Sequence, residues 1–82
     1  MIRTPITFPG GKPLTRSVAA QIVQVTARYE SRVMLEHDQK IVNAKSMLGL
    51  LSLGLVDQSK LTLLVEGADE KEAVEAIMEA MK

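Results

Sequence analysis

Three short stretches hold the side chains with chemical capacity. In N-A-K-S-M-L-G-L-L-S-L-G, residues 43–54, Ser46 follows Lys45 and precedes an almost unbroken apolar run. A hydroxyl at that place can accept a hydrogen bond from the unpaired amides of a helix's first turn and so cap it. It can also receive a phosphate, whose charge would meet those amides and the positive end of the helix dipole. The pattern by itself leaves both uses open, with capping the commoner. In P-L-T-R-S-V-A, residues 13–19, the hydroxyls of Thr15 and Ser17 flank Arg16 just before a segment of helical periodicity. Arg16 and Ser17 would there form an anion site at a helix start. The third stretch is H-D-Q-K, residues 37–40, with the single histidine, His37. Imidazole suits proton or metal work near neutral pH, but only with specific partners. His37 is distant in sequence from the other two stretches and reads as a solvated turn residue.

The elements that must carry these residues follow from periodicity. Ile2, Thr4, Ile6 and Phe8 alternate with Arg3, Pro5 and Thr7, which predicts a strand, and Pro5 places it at a sheet edge. P-G-G-K-P, residues 9–13, is a loop. Ser17 is expected to cap a helix whose apolar face is Val18, Ile22, Val25 and Tyr29. A second strand, Arg32–Glu36, buries Val33 and Leu35, and Lys40–Asn43 returns as a third. The turn between them lacks Asn-Gly or Asp-Gly. Gln39 falls where glycine would be easier, so either local strain or a wider turn is expected. Met47–Leu53 reads as a short buried helix begun by Ser46, with Leu50 and Leu53 inward. Lys60–Glu66 is a fourth strand with Leu61, Leu63 and Val65 on one side. Asp69 and Glu72 have capping-box spacing before a last helix with Val74, Ile77, Met78 and Met81 as its apolar stripe. Glu70 and Glu72 suit the positive end of that helix, and Lys82 the other.

The order β-α-β-β-α-β-α predicts an α+β open-faced sandwich: a four-stranded antiparallel sheet with three helices on one face. With 82 residues, one domain spanning 1–82 is expected, with a modest core. The chain has no cysteine, which removes disulfides and thiolate metal sites, and no metal or cofactor is expected. Ten basic residues balance ten acidic ones, and the only aromatics are Phe8 and Tyr29. Both facts argue against direct nucleic-acid binding. The apolar run around residues 47–56 is too short to span a bilayer. With no secretory signal pattern, a cytoplasmic protein is expected. Oligomeric state is not legible.

The element order and the stretch V-N-A-K-S-M-L-G-L-L-S-L-G, residues 42–54, resemble the HPr family, the small phosphocarriers of the bacterial sugar phosphotransferase system. The resemblance covers nearly the entire chain and is strongest from Tyr29 to Leu55. Gln24 to Tyr29, Leu35–Glu36 and G-A-D-E, residues 67–70, also match. Family members relay phosphate through a histidine in G-[IL]-H-A-R-P-A at the start of the first helix. Ungapped counting back from Tyr29 puts Thr15 at the histidine position, Ser17 at the arginine, Val18 at the proline and Pro13 at the glycine. A phosphorelay needs a high-energy phospho-nitrogen bond, and a threonine phosphate is an ordinary ester. The resemblance therefore implies no catalytic residue and no enzyme activity. It implies instead that Ser46 is a regulatory phosphorylation site for HPr kinase/phosphorylase, as in Gram-positive members. Lys45, Met47, Leu48 and Leu51 match the family's partner-docking surface. The pattern fits the histidine-less catabolite-repression members, which bind a catabolite-control transcription factor. The alternative is a divergent phosphocarrier domain with a different binding role.

Overall fold

Alternation builds the sheet. In the fourth strand Leu61, Leu63 and Val65 are buried while Lys60 and Glu66 are exposed, as a half-buried strand requires. The computed structural model describes residues 1–7, 15–53 and 60–80. Its elements are β1 (Ile2–Thr7), α1 (Arg16–Thr26), β2 (Arg32–His37), β3 (Lys40–Asn43), α2 (Met47–Ser52), β4 (Lys60–Glu66) and α3 (Glu70–Ala80). The strands lie in the order β1-β4-β2-β3, and every neighbouring pair is antiparallel. The three helices cover one face. Phe8, the 9–13 loop, Pro13, Gly54, Leu55, Met81 and Lys82 lie outside the described residues.

β1 is an edge strand, as Pro5 demands; Pro5 stands opposite Thr62 and is exposed. Register joins the inward rows. Ile2 faces Val65, and Val65 faces Val33; Leu63 faces both Thr4 and Leu35. On this floor Ala19 and Ile22 of α1, Leu50 of α2, and Ala73, Val74 and Ile77 of α3 complete the core. α1 packs against both other helices. Fully burying one such aliphatic side chain contributes about 1.5–3 kcal/mol. No buried side-chain nitrogen or oxygen among the described residues lacks a hydrogen-bond partner.

Several expectations need correction. Ser17 does not cap α1. Thr15 does, in extended conformation, its hydroxyl accepting from the Val18 N–H at 3.2 Å. The helix therefore starts at Arg16, and Ser17 is an exposed first-turn residue. Asp69 does stand at the start of α3, its carbonyl accepting from the Ala73 N–H at 3.0 Å, but Asp69 and Glu72 do not form a capping box. The Asp69 carboxylate turns away to accept from the backbone amides of Glu30 and Ser31, at 2.9 and 3.0 Å, and from the Ser31 hydroxyl. Glu70 reaches back instead, accepting from the Gly67 N–H at 3.4 Å. Met78 leaves the apolar stripe at 43% exposure, because Ala73, Val74 and Ile77 occupy the inward side of α3.

The β2–β3 turn is tight. Only Asp38 and Gln39 separate the strands, with φ of 47° and 69°. Positive φ at both central residues is the two-residue hairpin geometry that matches strand twist. The sequence meets it without glycine, so the strain alternative holds and the wider turn does not. His37 is not a solvated turn residue. It ends β2, its side chain is 18% exposed, its Nδ1 lies 3.2 Å from the Lys60 carbonyl, and its Nε2 lies 3.4 Å from the Asp38 carboxylate. The ring ties the hairpin end to the start of β4.

Candidate functional site

The stretch 43–46 is pinned at every residue. The Ala44 N–H donates to the Val33 carbonyl at 2.8 Å, continuing the attachment to β2. Asn43 then turns the chain: its side-chain oxygen accepts from the Lys45 N–H at 2.8 Å, and its carbonyl from the Ser46 N–H at 3.0 Å. Ser46 is extended, with φ −110° and ψ 122°, and its hydroxyl accepts from the Gly49 N–H at 3.1 Å. The Leu50 N–H closes the first helical bond to the Ser46 carbonyl at 3.0 Å. Serine is thus an N-cap in the full sense: extended backbone, first carbonyl accepted, side chain on the third amide. Gly49 is suited to this corner. A Cβ there would stand 3.2 Å from the Asn43 carbonyl and 3.4 Å from the Val42 side chain.

Around Ser46 the apolar residues divide. Leu50 and Leu53 are buried, as their spacing predicts. Met47 and Leu51 are half-buried and packed against the core. Leu48 is 83% exposed, the most exposed large apolar side chain described. Helical geometry leaves no alternative: in a six-residue helix one face must point to solvent once Leu50 points in. Lys45 follows a different course from Ser46. Its ammonium donates to the Tyr29 carbonyl at 2.7 Å, just past the end of α1. Sequence adjacency places it beside Ser46, but its charge is engaged elsewhere.

Thr15, Arg16 and Ser17 form the exposed beginning of α1. No hydrogen bond joins them to Ser46 among the described residues. Among the described residues no hydrogen bond joins Thr15 or Arg16 to His37, whose ring lies against the Lys60 carbonyl. No group of three or more acidic, histidine or cysteine residues among the described residues could hold a metal ion. No helix there is long and apolar enough to cross a membrane.

Two anchoring residues escaped the sequence reading. Thr26 is fully buried, and its hydroxyl bonds the Val23 carbonyl at 3.2 Å and the Ala44 carbonyl at 3.0 Å. Its position four residues after Ile22 on the inward face was the available signal. The anchoring role of Asp69 is the second: its spacing suits a cap, while its carboxyl is held below the ordinary aspartate range. The Ser31 hydroxyl is the main cause, and the Glu30 and Ser31 amides add to it. Such bonds favour the charged form.

Comparison with known proteins places this geometry. The chain is 48% identical over 60 residues to the HPr-like protein Crh of Halalkalibacterium halodurans, covering 73% of this chain and 71% of that protein. Its structure superposes on HPr-C-His of Thermoanaerobacter tengcongensis with a TM-score of 0.93 at 34% identity, over 99% of this chain and 91% of the other. Bacillus subtilis Crh, whose crystal structure is described as a dimer with a swapped domain, matches with a TM-score of 0.80 at 37% identity, over 99% and 93% of the two chains. The family model described as the PTS HPr component phosphorylation site matches residues 12–82, which takes in both the Thr15 and Ser46 stretches. With α1, α2 and the antiparallel sheet arranged as in those proteins, this chain belongs to the HPr family of the phosphotransferase system.

Proposed function

We propose that the chain is a non-catalytic, HPr-like regulatory protein of carbon catabolite control. In this reading, phosphorylation of Ser46 gates partner binding, and no phosphate passes through a histidine. One observation carries it: a capping serine stands two residues before an apolar side chain, Leu48, that is 83% exposed. The Ser46 oxygen already accepts from the Gly49 N–H, so a phosphate on it would sit over the first turn of α2 without refolding it. Added negative charge at an exposed helix start is worth about 0.3–1 kcal/mol, far too little to rearrange a core. It is enough to offer new acceptors to a partner's arginine or lysine beside the apolar contact of Leu48 and Leu51.

Thr15 supports the negative half of the reading. Its hydroxyl caps α1 and is an alcohol, so a phosphate there would be a stable ester. The partners implied are HPr kinase/phosphorylase and a catabolite-control transcription factor. Arg16 and Ser17, exposed at the start of α1, would lie on a second contact surface or anion site.

Incubation with HPr kinase/phosphorylase and ATP tests the proposal. Wild type should be labelled, Ser46→Ala should fold and remain unlabelled, and Leu51→Glu should be labelled but bind the transcription factor poorly. Labelling absent, or at another residue, refutes the regulatory reading. A divergent phosphocarrier would instead take acid-labile phosphate from enzyme I and phosphoenolpyruvate, which this reading forbids.

A further inference from the structure

Ser46 is presented from a segment that α1 holds from beneath. Two side-chain bonds run between them, from opposite directions. The buried Thr26 hydroxyl, on α1, donates to the Ala44 carbonyl at 3.0 Å. The Lys45 ammonium, on the segment, donates back to the Tyr29 carbonyl at 2.7 Å. The two residues immediately before Ser46 are therefore both tied to the last turn of α1 and the chain just beyond it. The amides of Ala44, Lys45 and Ser46 are satisfied by the Val33 carbonyl and by Asn43.

Neither residue is explained by packing alone. Position 26 lies on the inward face, where valine would fill the same volume; the hydroxyl makes the difference, because the Ala44 carbonyl is buried with it. Lys45 has a half-buried side chain, and it directs its charge to a neutral carbonyl. A lysine serving only as a solvated surface charge would have no need of that course.

We infer that Thr26 and Lys45 are positioning residues, which hold the Ala44–Ser46 backbone so that the Ser46 hydroxyl stays seated on the Gly49 amide. The inference deepens the Ser46 reading and, for its consequence in phosphorylation, rests on it. A seated hydroxyl meets a modifying enzyme in one conformation. A released one must be ordered during encounter, at the cost of the rotamer and backbone freedom regained. The consequence lies in recognition rather than in chemistry at the oxygen.

Two measurements on the intact protein decide the matter. The first is hydrogen exchange at the Gly49 amide, with the Leu63 and Val65 amides of β4 as monitors of global stability. Thr26→Val, which keeps shape and loses the hydroxyl, should speed Gly49 exchange roughly three- to tenfold beyond any change at β4, the factor set by loss of one net hydrogen bond. Thr26→Ser should restore protection. Lys45→Met, which keeps the apolar stem, should speed Gly49 exchange in the same way, and Lys45→Arg should reverse most of that. The Lys45 pair also serves if Thr26→Val fails to fold. The second measurement is kinase kinetics on the Thr26 variants: Thr26→Val should raise KM by a similar factor with kcat little changed, and Thr26→Ser should recover it. Gly49 protection equal to wild type in both Thr26→Val and Lys45→Met overturns the inference, whatever the kinase does. A wild-type chain that the kinase ignores refutes the regulatory reading, while the exchange data still decide whether these residues position Ser46.

Discussion

Replacing Gly67 with alanine probes the corner where β4 turns into α3. Gly67 has φ of 154°, a region that side-chain-bearing residues rarely adopt. A Cβ on it would stand 2.5 Å from the Ser31 Oγ, 2.6 Å from the Ser31 Cα and 2.9 Å from its Cβ. Two costs combine. Holding a non-glycine residue in such a backbone region costs about 1–3 kcal/mol. Forcing Ser31 aside costs about 1–3 kcal/mol by overpacking. Ser31 cannot move freely, because its amide and hydroxyl are both bonded to Asp69. The sum, about 2–6 kcal/mol, is a large share of a small domain's stability. Urea denaturation should show a lower midpoint with unchanged slope, and Tm should fall by roughly 10 °C or more. Combining the change with Ser31→Gly removes the clashing Oγ and Cβ but leaves the Cα at 2.6 Å, so only part of the loss should return. A Gly67→Ala variant within about 0.5 kcal/mol of wild type would refute the reasoning, since that is the range of neutral surface changes.

Asp69, with its pKa held low mainly by the Ser31 hydroxyl, should contribute stability above the ordinary aspartate pKa of about 3.9 and lose it as pH falls through the lower folded value. The stability gap between wild type and Asp69→Asn should therefore be full at neutral pH and close only in the acid limb of a pH-dependent denaturation series. Gln39→Gly should raise stability by about 0.5–1 kcal/mol in the same assay, because it relieves a side chain held at φ 69° in a two-residue turn. Leu63→Ala, at a fully buried site in β4, should lower stability by about 2–5 kcal/mol in urea titration.

Much of the architecture was legible because it rests on patterns of short range. Period-two alternation located β1, β2 and β4, the return after the turn located β3, and the proline at position 5 located an edge. Ser46 as a helix start was legible too, since serine before an apolar run signals a cap. The failures share a cause. At Ser17, Asp69 and His37 the side chain's partner is chosen by a three-dimensional neighbour or by a one-residue difference in where the chain bends. Thr15 competed with Ser17 for the same role, and local sequence offers no means of ranking them. Asp69 has cap chemistry, but amides 38 and 39 residues away in sequence claim its oxygens. His37 has a polar context, yet the Lys60 carbonyl fixes it from another strand. In the candidate site, the exposure of Leu48 and the course of the Lys45 ammonium are likewise products of tertiary placement.

The strand order has a consequence for how the chain is made. β4 stands between β1 and β2, so β1 pairs residue 2 with residue 65, far later in the chain. Until β4 leaves the ribosome, β1 has no ladder to join, and of the described strands just the β2–β3 hairpin can pair. An isolated hairpin is marginal in water. The growing chain must therefore carry the apolar faces of β1, α1 and α2 without a floor until residues 60–66 arrive, and assembly of the sheet waits on that strand. The β2 strand from which the Ser46 segment hangs is itself held on its other side by β4, so the same late strand also braces that segment.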